Sequence, residues 1–345
     1  MNSEAGVDPQ VLQRIPAWIV GVSLPFEERV IVTECADSID WLAQSNVLVD
    51  ASTFVVCALP RRVKVRLPDS VGTWVRAYGS TSVPGDELIL SRDHGVETID
   101  YTSSRYLTAA GPTAVRVTSV EDALELVLDV QATLRSGQLP VALTSPMVEL
   151  ADQCAIAGST SCPGRKLARL HVDGGGAVRS APGGAVLGVV GDDSDGILEG
   201  ARSYEGDPCL EEALAAALSD LPRLQMRMFL AGLNAVRVLG SRTSTAWRVV
   251  GWGTSSGHPI CNHAGQMILT NETDYVFYED SSRRAFRLNP TTAGTVQAVL
   301  SAHSDEEAVL LCREATGRHD FGTKSVGALE GEFLRRGVHL ERCAS

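Results

Sequence analysis

Short apolar runs separated by turn residues dominate the first 145 residues of the chain. Runs of this length, rich in branched side chains, predict buried strands. The predicted strands lie at residues 17–23, 29–34, 47–59, 74–77, 87–90, 96–101 and 140–144. Residues 38–43, capped by Asp37, predict one helix, and the amphipathic stretch 120–135 predicts another. Strands mixed with helices favour an α/β region over residues 1–145.

The pattern changes in the middle segment, residues 146–262. A short helix is expected at 148–157, and a hairpin is expected from strands at 167–172 and 177–179. Two helices at 210–221 and 224–239 are separated by Pro222, and a strand follows at 247–252. The glycine-dense segment 183–191 lacks the Lys-Ser/Thr of a phosphate loop, so it predicts a turn and a strand.

The last segment, residues 263–345, has the sharpest pattern. Strands are predicted at 267–270, 275–278 and 284–288, with a polar turn at 279–282 between the last two. Asn289 and Pro290 start a first helix, and Ser304 opens a capping box for a second. A third helix runs from Thr323 to Gly337, with one apolar face made of Val326, Leu329, Phe333 and Leu334. This order predicts a winged helix, with three strands followed by three helices.

Charge and composition exclude several classes of protein. The chain has 345 residues, with 42 acidic against 30 basic side chains and a net charge of −12. Proteins that bind nucleic acid usually show the opposite balance, so a winged-helix DNA-binding regulator is the least favoured alternative. No apolar run reaches the ~20 residues of a membrane span. Eight scattered cysteines and no signal-peptide pattern lead us to expect a reduced, cytoplasmic bacterial protein.

Signatures of catalysis and of metal binding are weak. The sequence contains none of the common phosphate-loop, dinucleotide, serine-hydrolase or zinc-protease motifs. His258, Cys261 and His263 lie within six residues, but their spacing fits no standard zinc site and ordinary linker residues are the alternative. We therefore expect no catalytic residue, no cofactor and no enzymatic activity of the chain's own.

The C-terminal segment resembles the PqqD-like RiPP recognition element, a winged-helix module that binds leader peptides of ribosomally made natural products. The resemblance covers residues 265–342. It depends on the strand order, on Leu288-Asn289 entering the first helix, on the Ser304 start of the second, and on residues 333–338 closing the third. These features are common singly, and their order and spacing make the resemblance specific.

The resemblance implies a leader peptide that adds as a strand to residues 284–288 and lies beside the third helix. Alternation places Phe286 and Leu288 toward the helices together with Arg284, and Arg283, Ala285 and Arg287 on the opposite face. The implied leader-binding residues are Arg283, Arg284, Ala285, Phe286, Arg287, Leu288, Val326, Leu329, Glu330 and Phe333. Arg283 and Arg287 either pair with leader carboxylates or are solvated charges that blunt an exposed edge.

Two further resemblances bear on partners. The segment 162–182 is similar to the start of a SPASM extension, with Cys162 present but Ser180, Ala181 and Pro182 where further cluster ligands would stand. The arrangement as a whole resembles the recognition proteins of daptide biosynthesis. That resemblance implies partners: a precursor leader peptide, an oxidative decarboxylase, an aminotransferase and a methyltransferase. The main alternative is a peptide-modifying maturase with its own active site and a fused leader-binding module.

Overall fold

The protein has a mixed α/β architecture with one large mixed sheet and one small antiparallel sheet. The computed structural model describes residues 9–21, 28–69, 71–158, 168–204, 208–239, 247–250 and 265–342, without the side chains of residues 9–12. The chain forms two compact units. Unit 1 comprises residues 1–126 and 147–220, and unit 2 comprises residues 127–146 and 221–345.

Eleven α-helices are present in the described part of the chain. They are α1 Pro9–Val20, α2 Ser38–Gln44, α3 Val120–Ser136, α4 Val141–Thr144, α5 Gln153–Ile156, α6 Ser194–Ser203, α7 Glu212–Leu218, α8 Arg223–Val238, α9 Pro290–Ser301, α10 Asp305–Thr316 and α11 Thr323–Arg335. A single 3-10 turn lies at Ser103–Arg105.

Fourteen strands are present in the same ranges. They are β1 Arg29–Thr33, β2 Thr53–Leu59, β3 Thr73–Tyr78, β4 Glu87–Ser91, β5 His94–Asp100, β6 Thr113–Arg116, β7 Val148–Leu150, β8 Arg169–Val172, β9 Ala177–Arg179, β10 Val186–Val189, β11 Arg248–Val249, β12 Gln266–Thr270, β13 Tyr275–Glu279 and β14 Arg284–Leu288.

Unit 1 is built on a ten-stranded sheet in the order β10-β9-β8-β1-β2-β3-β4-β5-β6-β7. Pairing is parallel from β8 through β1 and β2 to β3, and again from β5 through β6 to β7. Strands β4 and β9 run antiparallel to their neighbours. Strands from the predicted first and middle segments thus share one sheet, because β8 inserts beside β1.

The helix α1 covers one face of this sheet, where the sequence pattern predicted a strand at 17–23. Ile15, Trp18 and Ile19 are buried against Val30 and Val32 of β1. Their spacing of three and four residues is helical, but the apolar run 17–20 is too short to show its period. The strand prediction was therefore wrong over the described residues 17–21.

The opposite face of the sheet is covered by α2 and α6. Ile31 of β1 and Val55 of β2 point to this side and pack with Ile39 and Leu42 of α2 and Ile197 of α6. The two helices differ in how their N-termini are capped. Asp193 caps α6 by accepting a hydrogen bond from the Gly196 N–H at 3.2 Å. Asp37 precedes α2 as predicted, but its side chain makes no cap hydrogen bond.

Unit 2 is built on an antiparallel sheet in the order β11-β12-β13-β14, so one strand more than predicted. One face packs with α9, α10 and α11 around Ile268, Phe277, Val296 and Phe333. The other face includes buried residues of β12 and β13, and α8 contacts β12. The Asn289 side chain caps α9 through the Thr292 N–H at 2.8 Å, as predicted.

Several local predictions need correction. Residues 141–144 form the helical turn α4 instead of a strand, because Pro140 at the N-cap favours helix entry. The predicted helix at 148–157 is divided between β7 and the short helix α5. Leu334 is 62% exposed and does not belong to the apolar face of α11. The strand β6 and the helix α6 were not predicted.

Candidate functional site

The strand β14 lies at one edge of the small sheet. It pairs with β13 in antiparallel register, with Tyr275 opposite Leu288 and Glu279 opposite Arg284. Residues 280–283 connect the two strands in a tight turn, and Arg283 takes a positive φ of 51° there. Within the described ranges, no other strand pairs with β14. One side of this strand therefore offers backbone groups to an incoming chain.

The opposite edge of the same sheet is closed. Gln138, directly after α3, forms an antiparallel bridge with Arg248 of β11. The Val249 N–H donates to the Gly137 carbonyl at 2.8 Å. The two edges thus differ. Among the described residues, backbone hydrogen bonds occupy the β11 edge, and no strand pairs with the outer side of β14.

The alternation of hydrogen bonds along β13 shows which backbone groups of β14 point away from the sheet. The Asp280 N–H donates to the Gly265 carbonyl at 2.7 Å, so Asp280, Tyr278 and Val276 direct their backbone groups toward β12. Alternate residues of β13 then bond to β14. Their partners are Arg284, Phe286 and Leu288, by the observed register. The N–H and C=O groups of Ala285 and Arg287 consequently point away from the sheet.

Side chains of β14 divide between the helices and the solvent. Phe286 and Leu288 are half-buried and pack against the apolar core of unit 2, as predicted. The Phe286 ring lies 6.4 Å from the Phe333 ring of α11, in an edge-to-face arrangement. Ala285 and Arg287 are exposed. This strand therefore presents an apolar flank toward α11 and a polar flank on its other side.

Arg284 joins β14 to the end of α11. Its guanidinium donates to the Arg336 carbonyl at 2.8 Å, and Arg336 is the C-cap of that helix. Gly337 follows with φ 76°, and the Val338 N–H donates to the Phe333 carbonyl at 3.0 Å. These bonds form a Schellman cap. Arg284 is thus engaged within the protein, unlike the binding role that the sequence implied.

The residues predicted to form a groove wall on α11 have different environments. Val326 and Phe333 are buried, at 2% and 5% exposure, and belong to the apolar core beneath the implied groove. Leu329 is half-buried and packs at the edge of that core. Glu330 accepts a hydrogen bond from the Arg342 Nε at 3.1 Å, and the same arginine pairs with Asp305. Leu329 is therefore the groove-wall residue with accessible apolar surface.

Arg283 and Arg287 stand apart from the other arginines of residues 265–342. Arg284, Arg313, Arg318, Arg335, Arg336 and Arg342 each make a hydrogen bond or ion pair. The side chains of Arg283 and Arg287 make neither with any described residue. Both are exposed and both flank the open edge. Their charges are therefore available to a ligand.

A second polar cluster lies in unit 1, at the carboxyl ends of β1 and β8. The His171 Nε2 is 3.2 Å from the Ser82 Oγ and 3.3 Å from the Glu34 carboxylate. A nucleophilic triad needs the carboxylate on the other ring nitrogen. Here the Nδ1 atom is buried and has no hydrogen-bond partner in the described part of the protein. This arrangement fixes residues 80–82 against β1 and does not activate Ser82.

Glu34 is held in its charged form by this cluster. Burial opposes ionisation, but hydrogen bonds from His171, the Thr81 N–H and the Ser80 hydroxyl outweigh it and lower the pKa of Glu34. The Thr81 N–H donates at 2.9 Å and the Ser80 Oγ donates at 2.9 Å. The Glu34 carboxylate lies at the carboxyl end of β1, next to β8, where the strand order reverses. It would repel a phosphate, so the geometry disfavours a nucleotide at this point.

Buried ions join distant strands of the same sheet. The Asp152 carboxylate lies 2.7 Å from Arg116 of β6 and 2.6 Å from Arg169 of β8, and all three side chains are at most 5% exposed. Five strands separate β6 from β8 in the sheet order. A flat sheet would place them about 29 Å apart. The sheet is therefore curled, and the ion pairs close it.

The pKa values of the two guanidinium groups in this ionic cluster shift in opposite directions. Burial lowers the pKa of Arg116, because its compensation by Asp152 is incomplete. For Arg169 burial has the same direction, but the Asp152 carboxylate outweighs it and raises the pKa. The Arg169 guanidinium also lies over the Trp18 ring, 4.9 Å from its centroid. These contacts are architectural, and they leave no exposed reactive group.

The sequence analysis missed Glu34, Asp152, Arg169 and His171. A usable signal was present, because Arg169 and His171 interrupt an otherwise apolar strand at alternate positions. Charged residues on the inner face of a strand are rarely tolerated unless they are paired. The partners themselves come from distant segments, so the sequence pattern did not reveal them.

The cysteine and histidine residues that the sequence offered as metal ligands lie outside the described residues; they are His258, Cys261, His263 and Cys162. Elsewhere, no group of three or more His, Cys, Asp or Glu side chains is placed to hold a metal ion. Among the described helices, none is long and apolar enough to cross a membrane.

Comparisons with other proteins do not add to this description. No family model, no curated protein and no solved structure matches the chain.

Proposed function

We propose that unit 2 binds the leader peptide of a ribosomally made, post-translationally modified peptide. In this proposal residues 265–342 are a PqqD-like recognition element, and the pathway is of the daptide type. The protein itself performs no chemistry. It presents the precursor to an oxidative decarboxylase, an aminotransferase and a methyltransferase.

The observation that carries the proposal is the open edge of β14. Ala285 and Arg287 direct two N–H and two C=O groups outward, in phase with an added strand. The other sheet edge is already paired through Gly137 and Gln138. An unpaired edge is a template for strand addition, and backbone bonds then supply most of the affinity.

Side chains beside this edge supply the register. Leu288, Phe286 and Leu329 form a half-buried apolar flank between β14 and α11. We expect an apolar leader residue to rest there. The Arg287 side chain lies on the opposite flank, has no partner among the described residues, and is suited to a leader carboxylate. An acidic leader is therefore favoured at this edge despite the net charge of −12.

Tethering is the mechanism by which such binding assists catalysis. A leader held on β14 keeps the rest of the precursor close to any enzyme docked on the same protein. A short flexible tether gives an effective concentration on the order of mM. Weakly recognised core residues can then be modified without tight binding by each enzyme.

The direct test measures leader binding after substitution of Ala285. Proline removes the outward N–H of Ala285 without breaking the ladder to β13, and its ring obstructs a neighbouring strand. We expect Ala285→Pro to weaken binding of a fluorescently labelled leader about tenfold or more, as measured by anisotropy. Ala285→Val keeps the N–H and is the matched control, expected to bind within about threefold of wild type. Equal binding by the proline variant would reject the β14 edge.

A separate experiment addresses the maturase alternative. The purified protein is incubated with the full precursor in the absence of the tailoring enzymes. We expect the precursor mass to stay unchanged in a mass spectrum. A mass change that is lost in a heat-denatured sample would reject the binding-only function and would direct attention to unit 1.

A further inference from the structure

A basic extended segment lies between β2 and β3, outside the site on β14. Parallel neighbours in a sheet are usually joined by a crossover helix. The connection here spans residues 60–72, and its described parts, 60–69 and 71–72, contain neither helix nor strand. Four of the six residues 61–66 are basic. We call residues 61–67 the basic arm.

The basic arm alternates between exposed charge and packed apolar residues. Arg62, Lys64 and Arg66 are exposed, whereas Val63, Val65 and Leu67 are half-buried. The three apolar residues pack against the core beneath α2. An alternation of period two indicates an extended backbone whose two faces differ.

Internal contacts hold the basic arm in place. The Val63 N–H donates to the Pro60 carbonyl at 2.8 Å. The Arg76 guanidinium of β3 donates to the Val65 carbonyl. The Arg61 guanidinium lies 5.6 Å from the centroid of the Tyr78 ring, which fixes the start of the arm. The exposed charges therefore sit on a supported backbone.

The charges of the basic arm are largely uncompensated. Arg62 and Lys64 make no hydrogen bond or ion pair with any described residue. Arg66 approaches Asp69 at 3.3 Å, but both side chains are about nine-tenths exposed, so this pair contributes little. By contrast, most arginines of residues 265–342 have a partner. A local positive stripe thus lies on a protein with a net charge of −12.

We propose that the basic arm binds an extended acidic peptide segment of a partner polypeptide. Lys64 and Arg66 lie at alternate positions of residues 63–67, at a spacing of roughly 6.6 Å for an extended chain, and Arg62 precedes them in the turn that the bond from the Val63 N–H to the Pro60 carbonyl closes. Carboxylates at every second position of an extended peptide match that spacing. The proposal does not depend on leader binding at β14, which lies in the other unit.

Two other polyanions fit the basic arm less well. Nucleic acid and anionic membranes extend well beyond the arm, so the remaining acidic surface would repel them. Residues 61–67 include no aromatic side chain on which a base could stack. Their apolar side chains pack inward, so they are not available to a lipid surface. A short acidic peptide touches only the arm.

The test uses the full chain and a fluorescein-labelled peptide of alternating glutamate and threonine. Wild type should bind it at low salt and lose most of that affinity at about 0.15 M salt. The variant Arg62→Gln/Lys64→Gln/Arg66→Gln should bind about tenfold or more weakly. The matched control Arg92→Gln/Arg202→Gln/Arg223→Gln removes the same charge from exposed positions elsewhere, and it should bind within about twofold of wild type.

Each remaining outcome has a definite meaning. Failure of wild type to bind the peptide, equal weakening by the control, or equal binding of a glutamine-threonine peptide would overturn the proposal. Tighter binding of a single-stranded oligonucleotide or of anionic vesicles would overturn it in favour of those ligands. Weakening by Arg283→Gln/Arg287→Gln to the same extent as by the arm variant would also overturn the proposal, because the acidic peptide would then bind at the β14 edge.

Discussion

The core of unit 1 and the core of residues 265–342 differ in whether they contain buried ion pairs. Unit 1 buries charged groups and pairs them, with Asp152 held between Arg116 and Arg169 at the closure of the curled sheet. Residues 265–342 of unit 2 have an apolar core, centred on Phe277 and Phe333, and Arg283 and Arg287 of this segment are exposed. Buried paired charges determine one arrangement of a chain, whereas exposed unpaired charges remain available to ligands. The buried ion pairs of unit 1 therefore serve its architecture, and the exposed basic side chains are the groups that the two proposals assign to ligand binding.

The largest expected effect follows from removing the shared carboxylate in unit 1. Asp152→Asn keeps the side-chain shape and tolerates the positive φ of 56° at this position. Two buried guanidinium groups then lose their counter-ion, so the free energy of unfolding should fall by about 4 kcal/mol or more. Denaturant unfolding measures this change, with the exposed Asp86→Asn as control. A loss below about 1 kcal/mol would contradict the closure role of the ion pairs.

A somewhat smaller effect is expected from the apolar core of unit 2. Phe333→Ala removes a ring that contacts Phe277 with centroids 5.1 Å apart. The unfolding free energy should fall by about 3 kcal/mol through lost burial and a cavity. Hydrogen exchange should show the loss in β12 and β13 but not in β1 and β8. Leu334→Ala, one position along, changes an exposed side chain and should cost less than about 0.5 kcal/mol.

The junction between β14 and α11 gives a third prediction. Gly337 has a φ of 76°, and a Cβ atom there would lie 2.7 Å from the Arg284 Nη1. Gly337→Ala should therefore destabilise unit 2 by about 1–2 kcal/mol and displace Arg284. Thermal unfolding provides the measurement. Gly327→Ala, at a helical position with open space, serves as the control and should be neutral or stabilising.

The smallest effect concerns pH and sharpens the description of unit 1. The pKa of Glu34 is lowered in the folded protein, so its stabilising contribution is present above the ordinary value of 4.5 and disappears as the pH falls through the lower folded value. Wild type should lose stability more steeply below pH 4.5 than Glu34→Gln does. Urea midpoints measured across this range provide the comparison. Parallel curves would show that Glu34 is not coupled to folding.

The amount that the sequence predicted also differs between the units. Within residues 265–342 the three strands, the Asn289 cap and the Pro290 start are local signals, and all are confirmed. In unit 1 the outcome depends on contacts between distant segments. Trp18 lies in the helix α1, which packs against β1 and β2. Arg169 is buried in an ion pair with Asp152, seventeen positions earlier. Local patterns carry no information on such pairings, so the closed sheet was not predictable.

The candidate site was partly predictable for the same reason. Alternation along β14 correctly placed Phe286 and Leu288 toward the helices. The sequence did not indicate that Arg284 is committed to the C-cap of α11 or that Glu330 is committed to Arg342. Both engagements join residues that are separated in sequence, by 52 and 12 positions. Arg284 and Glu330 are thus the two implied binding residues whose side chains are engaged within the protein.

Gln138 and β11 have one more consequence, which concerns how the protein reaches its folded state. The small sheet is completed by Gly137 and Gln138, which belong to unit 2 but precede β12 by more than a hundred residues and lie in the chain between the two segments of unit 1. Such contacts have high contact order, so closure of the small sheet should be slow and late. During synthesis, residues 127–146 emerge long before the strands that they pair with. A fragment starting at residue 263 would accordingly lack these partners and would leave the β12 edge unpaired.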